Sequence, residues 1–256
     1  MPGGAPRGGL YVLMSNHVKH CINHCYASPV RKAASVRKNV SVRKKRTAAE
    51  PPALDTIAVA ALSVIDEEGP EALSFRAVAQ RLDVSHGTVF RRCGDFDGLL
   101  NACADHLATL LPRVPQDTDW AAATEARFTA LYEVLTRHPG LAALRAGRSW
   151  FGPELLSRLV EPQLAQSIAA GMTPAAAIHV YRGLYLLTLG AVAFVDHRDE
   201  KRALASARTS LAALDPEEFP VLTAHRDVVL PALTDHRVYH DALRRLISAA
   251  AAEHLG

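Results

Sequence analysis

The segment from residue 73 to residue 100 constrains the fold more than any other part of this chain. Ser74 can cap a short helix, because its side-chain oxygen can accept a hydrogen bond from a free backbone N–H. The apolar positions of that helix recur at helical spacing: Phe75, Val78, Ala79 and Leu82. Asp83 follows where the chain must turn, and Asp tolerates left-handed backbone better than most residues. Because Ser85 can cap a second helix over residues 86–92, the spacing predicts two short helices joined by a tight turn.

The second of these helices is polar on its outer side and flanked by arginines. Val89 is predicted to point inward, while Thr88, Arg91 and Arg92 face out. A helix of this kind fits the major groove of DNA, where its N-terminal residues meet base edges. Any two short helices joined by a turn share this pattern, so the spacing by itself leaves a purely structural role open.

The same stretch resembles the DNA-binding domain of the TetR family of bacterial repressors. The family pattern is a helix of the form Leu-Ser/Thr-x-Arg-x-Leu/Val-Ala-x-x-Leu-Gly-Val-Ser, then Gly-Thr-Leu/Val-Tyr/Phe, and finally an acidic step into Leu-Leu. The residues that fit this pattern are Leu73, Ser74, Arg76, Val78, Ala79, Leu82, Val84, Ser85, Gly87, Thr88, Val89, Phe90, Leu99 and Leu100. The match is dense over about 50 residues and implies a helix-turn-helix domain that binds an operator.

The resemblance also implies which residues meet the DNA. The DNA-binding residues expected from it are Ser74, Arg76, Ser85, His86, Gly87, Thr88, Phe90, Arg91 and Arg92. Among these, Arg76 is expected to contact a base or a phosphate, and Thr88 and His86 can touch base edges. Three residues depart from the family pattern: Asp83 replaces Gly, Cys93 replaces Phe, and Phe96 stands where Lys is common. The last departure removes an expected phosphate contact.

One further helix is predicted to complete a three-helix DNA-binding head, and another is predicted to connect this head to the rest of the chain, the body. The first spans about residues 53–68 with apolar residues at i, i+3, i+4 and i+7 spacing, and Gly69-Pro70 ends it. The other begins near Asp95 or Asp97, where acids suit the positive end of the helix dipole, and runs to about Leu111. Its predicted inward residues are Leu99, Leu100, Cys103, Leu107 and Leu110. In the family this helix joins the DNA-binding domain, predicted over residues 53–112, to the ligand-binding body.

Charge is distributed unevenly along the chain. Residues 1–53 hold ten Lys or Arg and one Glu, a net charge of +9, which leaves −6 for the rest of a chain whose total is +3. We interpret residues 1–52 as a disordered basic arm that can add sequence-independent affinity for DNA phosphates. A translation start at Met14 or at a later valine is a second interpretation of this segment. His17, His20, Cys21, His24 and Cys25 cluster there, but their spacing matches no zinc module, so no metal site is predicted.

The rest of the chain, residues 113–256, is predicted to be a helical effector-binding and dimerisation domain. Helices are expected over 120–137, 141–146, 153–170, 174–195, 204–214 and 238–252, with a helix start at 215–219. No strand-like alternation appears, so the fold class is all-α. The His138-Pro139-Gly140-Leu141 step and the Gly171-Met172-Thr173-Pro174 entry into a long apolar helix resemble the regulatory domain of the family, as does the Asp215-Pro216-Glu217-Glu218-Phe219-Pro220 segment.

The long apolar helix bears on membrane association and on oligomeric state. Its uncharged run, Gly183 to Val195, has 13 residues, whereas a membrane span needs about 20, so we expect a buried helix and no membrane. One small domain covers such a helix poorly on all sides. The family resemblance implies a homodimer formed by this helix and the last one, and a two-fold dimer suits a palindromic operator.

Six residues are candidates for a small-molecule effector pocket: Tyr132, Arg148, Trp150, Tyr181, Arg182 and Tyr185. They come from different predicted helices and could converge. Aromatic residues spaced four apart are also common in cores and dimer interfaces, and this alternative stays open for each of them. The resemblance does not specify the effector.

An enzyme is the competing class of protein. No nucleophile with a base, no paired carboxylates and no phosphate-cradling Gly loop are recognisable in the sequence, so neither catalysis nor a cofactor is expected. Four cysteines in a chain of this length form no disulfide framework and fit a reducing cytoplasm. The sequence therefore predicts a cytoplasmic, nucleoid-associated regulator, most simply a repressor released by its effector. The alternative is a non-specific DNA-binding protein that acts through the basic arm.

Overall fold

The computed structural model describes residues 51–145, 152–194 and 200–256. These residues form helices, turns and irregular segments without a strand, which confirms the all-α prediction. The helices are α1 (Leu54–Glu68), α2 (Phe75–Arg81), α3 (His86–Cys93), α4 (Phe96–Ala108), α5 (Trp120–Arg137), α6 (Pro139–Leu144), α7 (Pro153–Leu155), α8 (Glu161–Ala169), α9 (Pro174–Phe194), α10 (Glu200–Ala212), α11 (Pro220–Ala224), α12 (Arg226–Ala232) and α13 (Arg237–His254). Residues 1–50 of the predicted basic arm lie outside the described residues, as does the 17–25 cluster of His and Cys.

In the head, helix α1 packs along α4. Its apolar stripe is buried through Ile57, Ala61 and Ile65, and α4 meets it with Leu99, Cys103 and other fully buried side chains. The Cys103 thiol lies 3.9 Å from the Ala58 carbonyl oxygen. Burial raises the pKa of this thiol to about 12, so it packs as a neutral apolar group.

Helix α4 ends one turn earlier than its apolar pattern predicts. After Ala108 the backbone N–H groups of residues 109–111 donate to carbonyls three positions back, so the chain tightens into a 3₁₀-like turn. This change in period buries Leu111 (3% exposed) and turns Leu110 outward (54% exposed). The prediction that Leu110 points inward was therefore wrong, because it assumed that the period of 3.6 continued.

The body is arranged around α5, α9 and α13, which pack on one another. Asp119 caps α5, since its carboxylate accepts hydrogen bonds from the backbone N–H groups of Ala121 (3.0 Å) and Ala122 (3.2 Å). Tyr239 of α13 lies at the meeting point of the three helices. Its hydroxyl donates to the Phe128 carbonyl oxygen (3.0 Å) and lies 2.9 Å from the Thr188 hydroxyl.

The segment predicted as one helix over 153–170 is interrupted by a π turn. Helix α7 passes into the π turn Leu156–Val160, which leads directly into α8. Pro162 explains the interruption, because it has no N–H to donate and its ring clashes with the carbonyl four residues back in a regular α-helix. The extra residue in the turn relieves that clash.

Helix α9 is only partly covered within one chain. One of its faces packs on α5, α8 and α13, but Ile178 and Leu186 on another face are 52% and 54% exposed. By length and composition the segment Pro174–Ala193 could also cross a membrane, a property that core helices of soluble proteins share. One chain therefore leaves part of α9 uncovered, as the sequence predicts for a single small domain.

Residues 215–219 form a single capped turn, and the helix predicted to start there begins at Pro220. The carboxylate of Asp215 accepts a hydrogen bond from the Glu217 N–H (2.8 Å), and its carbonyl accepts one from the Phe219 N–H (2.8 Å). Helices α10, α11 and α12 pack on each other and hold no residue that is buried within the chain.

Polar contacts attach α4 to the helices of the body. The buried Arg145, after α6, donates to the Asn101 side-chain oxygen (2.7 Å), and the Asp105 carboxylate accepts a hydrogen bond from the Glu154 N–H (2.8 Å). Arg158 donates to the Leu111 carbonyl oxygen (3.4 Å). Helix α4 is thus shared between the three-helix head and the body.

Candidate nucleic-acid interface

Helix α2 is set in place by a cap at its start and by ion pairs at its end. The Ser74 hydroxyl accepts a hydrogen bond from the Ala77 N–H (3.1 Å), as the sequence predicts. At the other end, Arg81 forms salt bridges with Glu67 (2.9 Å) and Glu68 (2.8 Å) of α1. These contacts leave Arg76 exposed on the first turn of α2.

The turn between α2 and α3 has the predicted left-handed residue. Asp83 has a φ of 52°, and the next residue, Val84, donates its N–H to the Ala79 carbonyl oxygen (3.0 Å). The hydrogen bond closes the end of α2 while the positive φ redirects the chain. An Asp can therefore stand where the resemblance expects Gly, because its short polar side chain tolerates this conformation.

Helix α3 presents its first turn and its arginines outward. The Ser85 hydroxyl accepts a hydrogen bond from the Thr88 N–H (3.1 Å) and lies 2.8 Å from the Thr88 hydroxyl, which fixes the Thr88 side chain at the start of the helix. Val89 is fully buried, whereas Arg91 and Arg92 are exposed. The Arg92 Nε donates to the Pro52 carbonyl oxygen (3.0 Å) and so ties the end of α3 to the residues before α1.

Aromatic rings join the two short helices at the same surface. Phe75 of α2 meets Phe90 of α3 edge-on at 5.5 Å between ring centroids and meets His86 edge-on at 6.0 Å. His86 and Phe90 stack at 6.4 Å. Phe90 remains 47% exposed, so one part of its ring holds the helices together while another part faces solvent.

This surface is positively charged. Arg76, Arg91 and Arg92 form no salt bridge within the described part of the chain, whereas Arg81 beside them is neutralised by α1. Exposed guanidinium groups without a carboxylate partner are available to phosphate oxygens. All nine sequence-predicted DNA contacts lie on or immediately before α2 and α3, and whether they touch DNA stays a prediction.

The predicted effector residues fall into separate groups. Tyr181 and Tyr185 stack at 5.8 Å on α9, and Phe128 of α5 lies 6.2 Å from Tyr181. Burial raises the pKa of Tyr185 to about 12. The exposed Arg182 places its guanidinium 5.7 Å from the centre of the Tyr185 ring.

Tyr132 packs toward α13. Its ring stacks on Tyr239 at 4.0 Å, and its hydroxyl lies 2.7 Å from His236 Nδ1. Arg148 and Trp150 lie outside the described residues. The three candidate tyrosines therefore line two neighbouring parts of the core, whereas Arg182 is exposed, and the role of all four in binding an effector stays a prediction.

A buried polar network between α5 and α8 was missed by sequence reasoning. Arg127 is 3% exposed and donates through Nη1 to the Gln163 side-chain oxygen (3.0 Å). The Gln163 amide nitrogen donates to the Thr124 hydroxyl (2.9 Å), and the Trp120 indole N–H donates to the Ser167 hydroxyl (2.9 Å). The available signal was an arginine at a position of the apolar stripe of α5, four residues before the buried Leu131.

The ranges 51–145, 152–194 and 200–256 contain no group of three His, Cys, Asp or Glu side chains that could hold a metal ion. The surface of α2 and α3 instead offers hydrogen-bonding, aromatic and cationic groups. These groups suit recognition of a polyanion.

Comparison with known families gives matches to both halves of the chain. The model described as "Bacterial regulatory proteins, tetR family" matches residues 57–103, and the model described as "Tetracyclin repressor-like, C-terminal domain" matches residues 111–252. Together they span the described helices from α1 to α13. The second match alone covers more than half of the chain.

Curated relatives match in the head. The HTH-type transcriptional repressor Rv3405c of Mycobacterium tuberculosis is 47% identical over 55 residues, which are 22% of this chain and 29% of the relative. The HTH-type transcriptional regulator Mb3439c of Mycobacterium bovis matches to the same extent. The chain thus aligns with less than a third of the length of these relatives.

Solved structures match over most of the chain. Apo ActR from Streptomyces coelicolor aligns with a TM-score of 0.64 and 23% identity, covering 80% of this chain and 97% of ActR. The complex of ActR with actinorhodin aligns with a TM-score of 0.64 and 22% identity, covering 80% of this chain and 97% of that one. SCO7222, a TetR from the same organism, has a TM-score of 0.60 and 23% identity over 78% of this chain and 98% of its own. These likenesses establish the fold.

Proposed function

The chain belongs to the tetR family of bacterial regulatory proteins, and on that premise we propose that it is a ligand-responsive transcriptional repressor. It binds a palindromic operator as a homodimer and is released when a small-molecule effector binds its body. It acts in the cytoplasm, on the nucleoid, and needs no cofactor or catalytic step. ActR, which has a similar fold, has been solved in complex with actinorhodin, which supports a small-molecule effector for this chain.

The observation that carries the proposal is the exposed surface of α2 and α3. Arg76, Arg91 and the capped Thr88 lie on two helices that α1 and α4 hold in a fixed arrangement. A rigid, cationic pair of short helices can place side chains on base edges in the major groove while its arginines contact phosphates. In this role Arg76 and Thr88 contribute to sequence recognition, and Arg91 and Arg92 contribute to affinity.

Operator release follows from the position of α4. Because α4 packs on α1 and also accepts hydrogen bonds from Arg145 and from the Glu154 N–H, a shift in the body moves the head. The separation of two recognition helices in a dimer must match about 34–36 Å along the DNA. A small tilt of α4 in each protomer therefore weakens operator binding, and a few kcal/mol of differential affinity suffices for the switch.

The experiment is a titration of the purified chain against the DNA upstream of its own gene, at stated salt, with random DNA as competitor. We expect binding that survives the competitor, since specific binding exceeds non-specific binding by roughly 10³ or more. Arg76→Ala or Thr88→Ala should weaken operator binding by about 1–3 kcal/mol, the worth of a good base contact. Arg137→Ala, on the exposed side of α5, is the matched control and should bind as the unaltered chain does.

The second candidate is a DNA-packing protein that uses the basic arm, favoured by the net charge of +9 over residues 1–53. Removing residues 1–46 separates the two functions. A repressor keeps its footprint and loses only part of its salt-dependent affinity. If random DNA abolishes binding and the shortened chain no longer binds any DNA, the helix-turn-helix assignment is wrong.

A further inference from the structure

The buried side chain of Arg127 has an unused hydrogen-bond donor. Its Nη1 donates to Gln163, but its Nη2 is buried and has no hydrogen-bond partner within the residues that the structure describes. Arg127 also forms no salt bridge with any described carboxylate. Arg127 is 3% exposed as a residue, and a buried guanidinium without a counter-ion is costly, because its desolvation is not offset by an opposite charge.

The polar side chains around Arg127 are held by hydrogen bonds to one another. Gln163 is held by Thr124 and lies 3.3 Å from the Ser167 hydroxyl, which in turn donates to the Gln163 carbonyl oxygen (2.8 Å). The π turn just before Pro162 sets which face of α8 meets α5, and it brings Gln163 opposite Arg127. A π turn within a helix is often found at a functional site.

These observations lead to an inference about the chemistry of the effector. We propose that the effector is an organic acid whose carboxylate or other anionic oxygen accepts a hydrogen bond from Arg127 Nη2. The acid supplies the counter-charge that the described residues lack, and Arg binds carboxylates more specifically than Lys because of its planar array of donors. This inference rests on the proposed function, since it names the class of effector that the body receives.

The apolar part of the acid is expected to be aromatic. Trp120 is hydrogen-bonded into the same network through Ser167, and Phe128 follows Arg127 on α5 with its ring in contact with Tyr181. Aromatic side chains on the same helix as a buried cation suit a flat apolar ligand with one anionic end. A neutral amide of the same shape would leave the charge of Arg127 uncompensated.

The test compares acids with their amides in a thermal-unfolding assay on the full chain, without DNA. The probes are benzoate and benzamide, 1-naphthoate and 1-naphthamide, and anthracene-9-carboxylate and its amide. We expect at least one acid to raise the Tm by about 5–10 °C at 100 times its Kd, while its amide gives a clearly smaller shift. In Arg127→Met, which keeps the volume and removes the charge and the donors, the difference between acid and amide should vanish.

Other outcomes overturn the inference. If no acid in the wild-type chain exceeds its amide, or if Arg127→Met keeps the difference, then Arg127 is a structural residue and the effector need not be anionic. A purely structural role would lower the Tm of Arg127→Met but leave the difference between acid and amide unchanged. Should Arg127→Met fail to fold, Arg127→Gln replaces it, because it also removes the charge, and an unreduced preference for the acid then contradicts the inference.

The readout separates this inference from the proposed function. Binding of the acid is measured without DNA, and the acid that binds is then added to the complex of the chain with its upstream DNA. An acid that binds through Arg127 to a chain without operator affinity would refute the repressor and leave the ligand assignment in place. If the chain binds its operator but prefers no acid, and no acid affects operator binding, the ligand assignment is refuted and the repressor remains.

Discussion

Gly98 is the residue at which the head tolerates no side chain. It lies in the first turn of α4, where its N–H donates to the capping carboxylate of Asp95 (2.7 Å). A Cβ at this position would stand 1.9 Å from the carbonyl oxygen of Cys93, so the end of α3 or the start of α4 must move. We expect Gly98→Ala to lower the free energy of unfolding by about 1–3 kcal/mol, as other overpacking substitutions do, measured by urea denaturation.

Gly87→Ala is the matched control for that substitution. A Cβ at Gly87 would meet only the Arg91 side chain (3.5 Å) and the Ser85 hydroxyl (3.9 Å) at ordinary contact distances. In a helix, Ala is favoured over Gly by roughly 0.5–1 kcal/mol, so stability should hold or rise while operator affinity falls, because the methyl group projects from the proposed DNA surface. Equal losses of stability in both variants would contradict the clash at Gly98.

Single residues were predictable from the sequence where their role depends on near neighbours. The caps at Ser74 and Ser85 each accept a hydrogen bond from an N–H three residues ahead, and the positive φ of Asp83 follows from the need to turn. Arg127 could not be found in this way. Its partner Gln163 is 36 positions away, and only the packing of α5 on α8 brings the two together.

At the scale of helices, the sequence predicted which segments are helical better than it predicted where each helix begins and ends. The limits of α5 were predicted correctly, because Asp119 caps its start and His138-Pro139-Gly140 stops it. The outward position of Leu110 and the π turn were missed. An apolar pattern does not reveal where backbone hydrogen bonds change from a separation of four residues to one of three or five. The sequence indicated that one domain covers α9 poorly, but it could not show that the exposed face is the one with Ile178 and Leu186.

The contact between α4 and α7 is a helix cap supplied by another helix. Asp105 of α4 accepts a hydrogen bond from the Glu154 N–H at the start of α7 (2.8 Å), and Gly152 approaches so closely that a Cβ there would lie 2.3 Å from the same carboxylate. We expect Asp105→Ala to lower the free energy of unfolding by about 1 kcal/mol, the typical worth of a cap. Urea denaturation monitored by circular dichroism measures this loss.

Asp105→Asn provides the control at this contact, because the amide oxygen can still accept the hydrogen bond from Glu154. It should recover most of the stability that Asp105→Ala loses. If both variants are equally destabilised, the charge of Asp105 rather than its role as an acceptor holds α7 on α4.

At the scale of the whole molecule, the exposed face of α9 is the surface that we propose for the homodimer contact. Ile178, Arg182 and Leu186 recur every four residues on it and are exposed in the single chain, while the opposite face packs on α5 and α13. Burial of such a face against a second copy gives a two-fold contact with both heads on one DNA. We expect Leu186→Glu to be monomeric by light scattering and to bind the operator at least tenfold more weakly, because the two half-sites are then bound independently.

Val59→Glu is the matched control, since Val59 of α1 is similarly exposed (49%) but lies in the head. This variant should remain a dimer, because a charge on α1 does not disturb the face of α9. A single acidic substitution removes one apolar contact and places a desolvated charge in each half of a symmetric interface, so its effect is doubled in the dimer. If Leu186→Glu remains a dimer with unchanged operator affinity, the dimer interface lies on another surface. The exposed apolar residues of α9 would then serve a different contact.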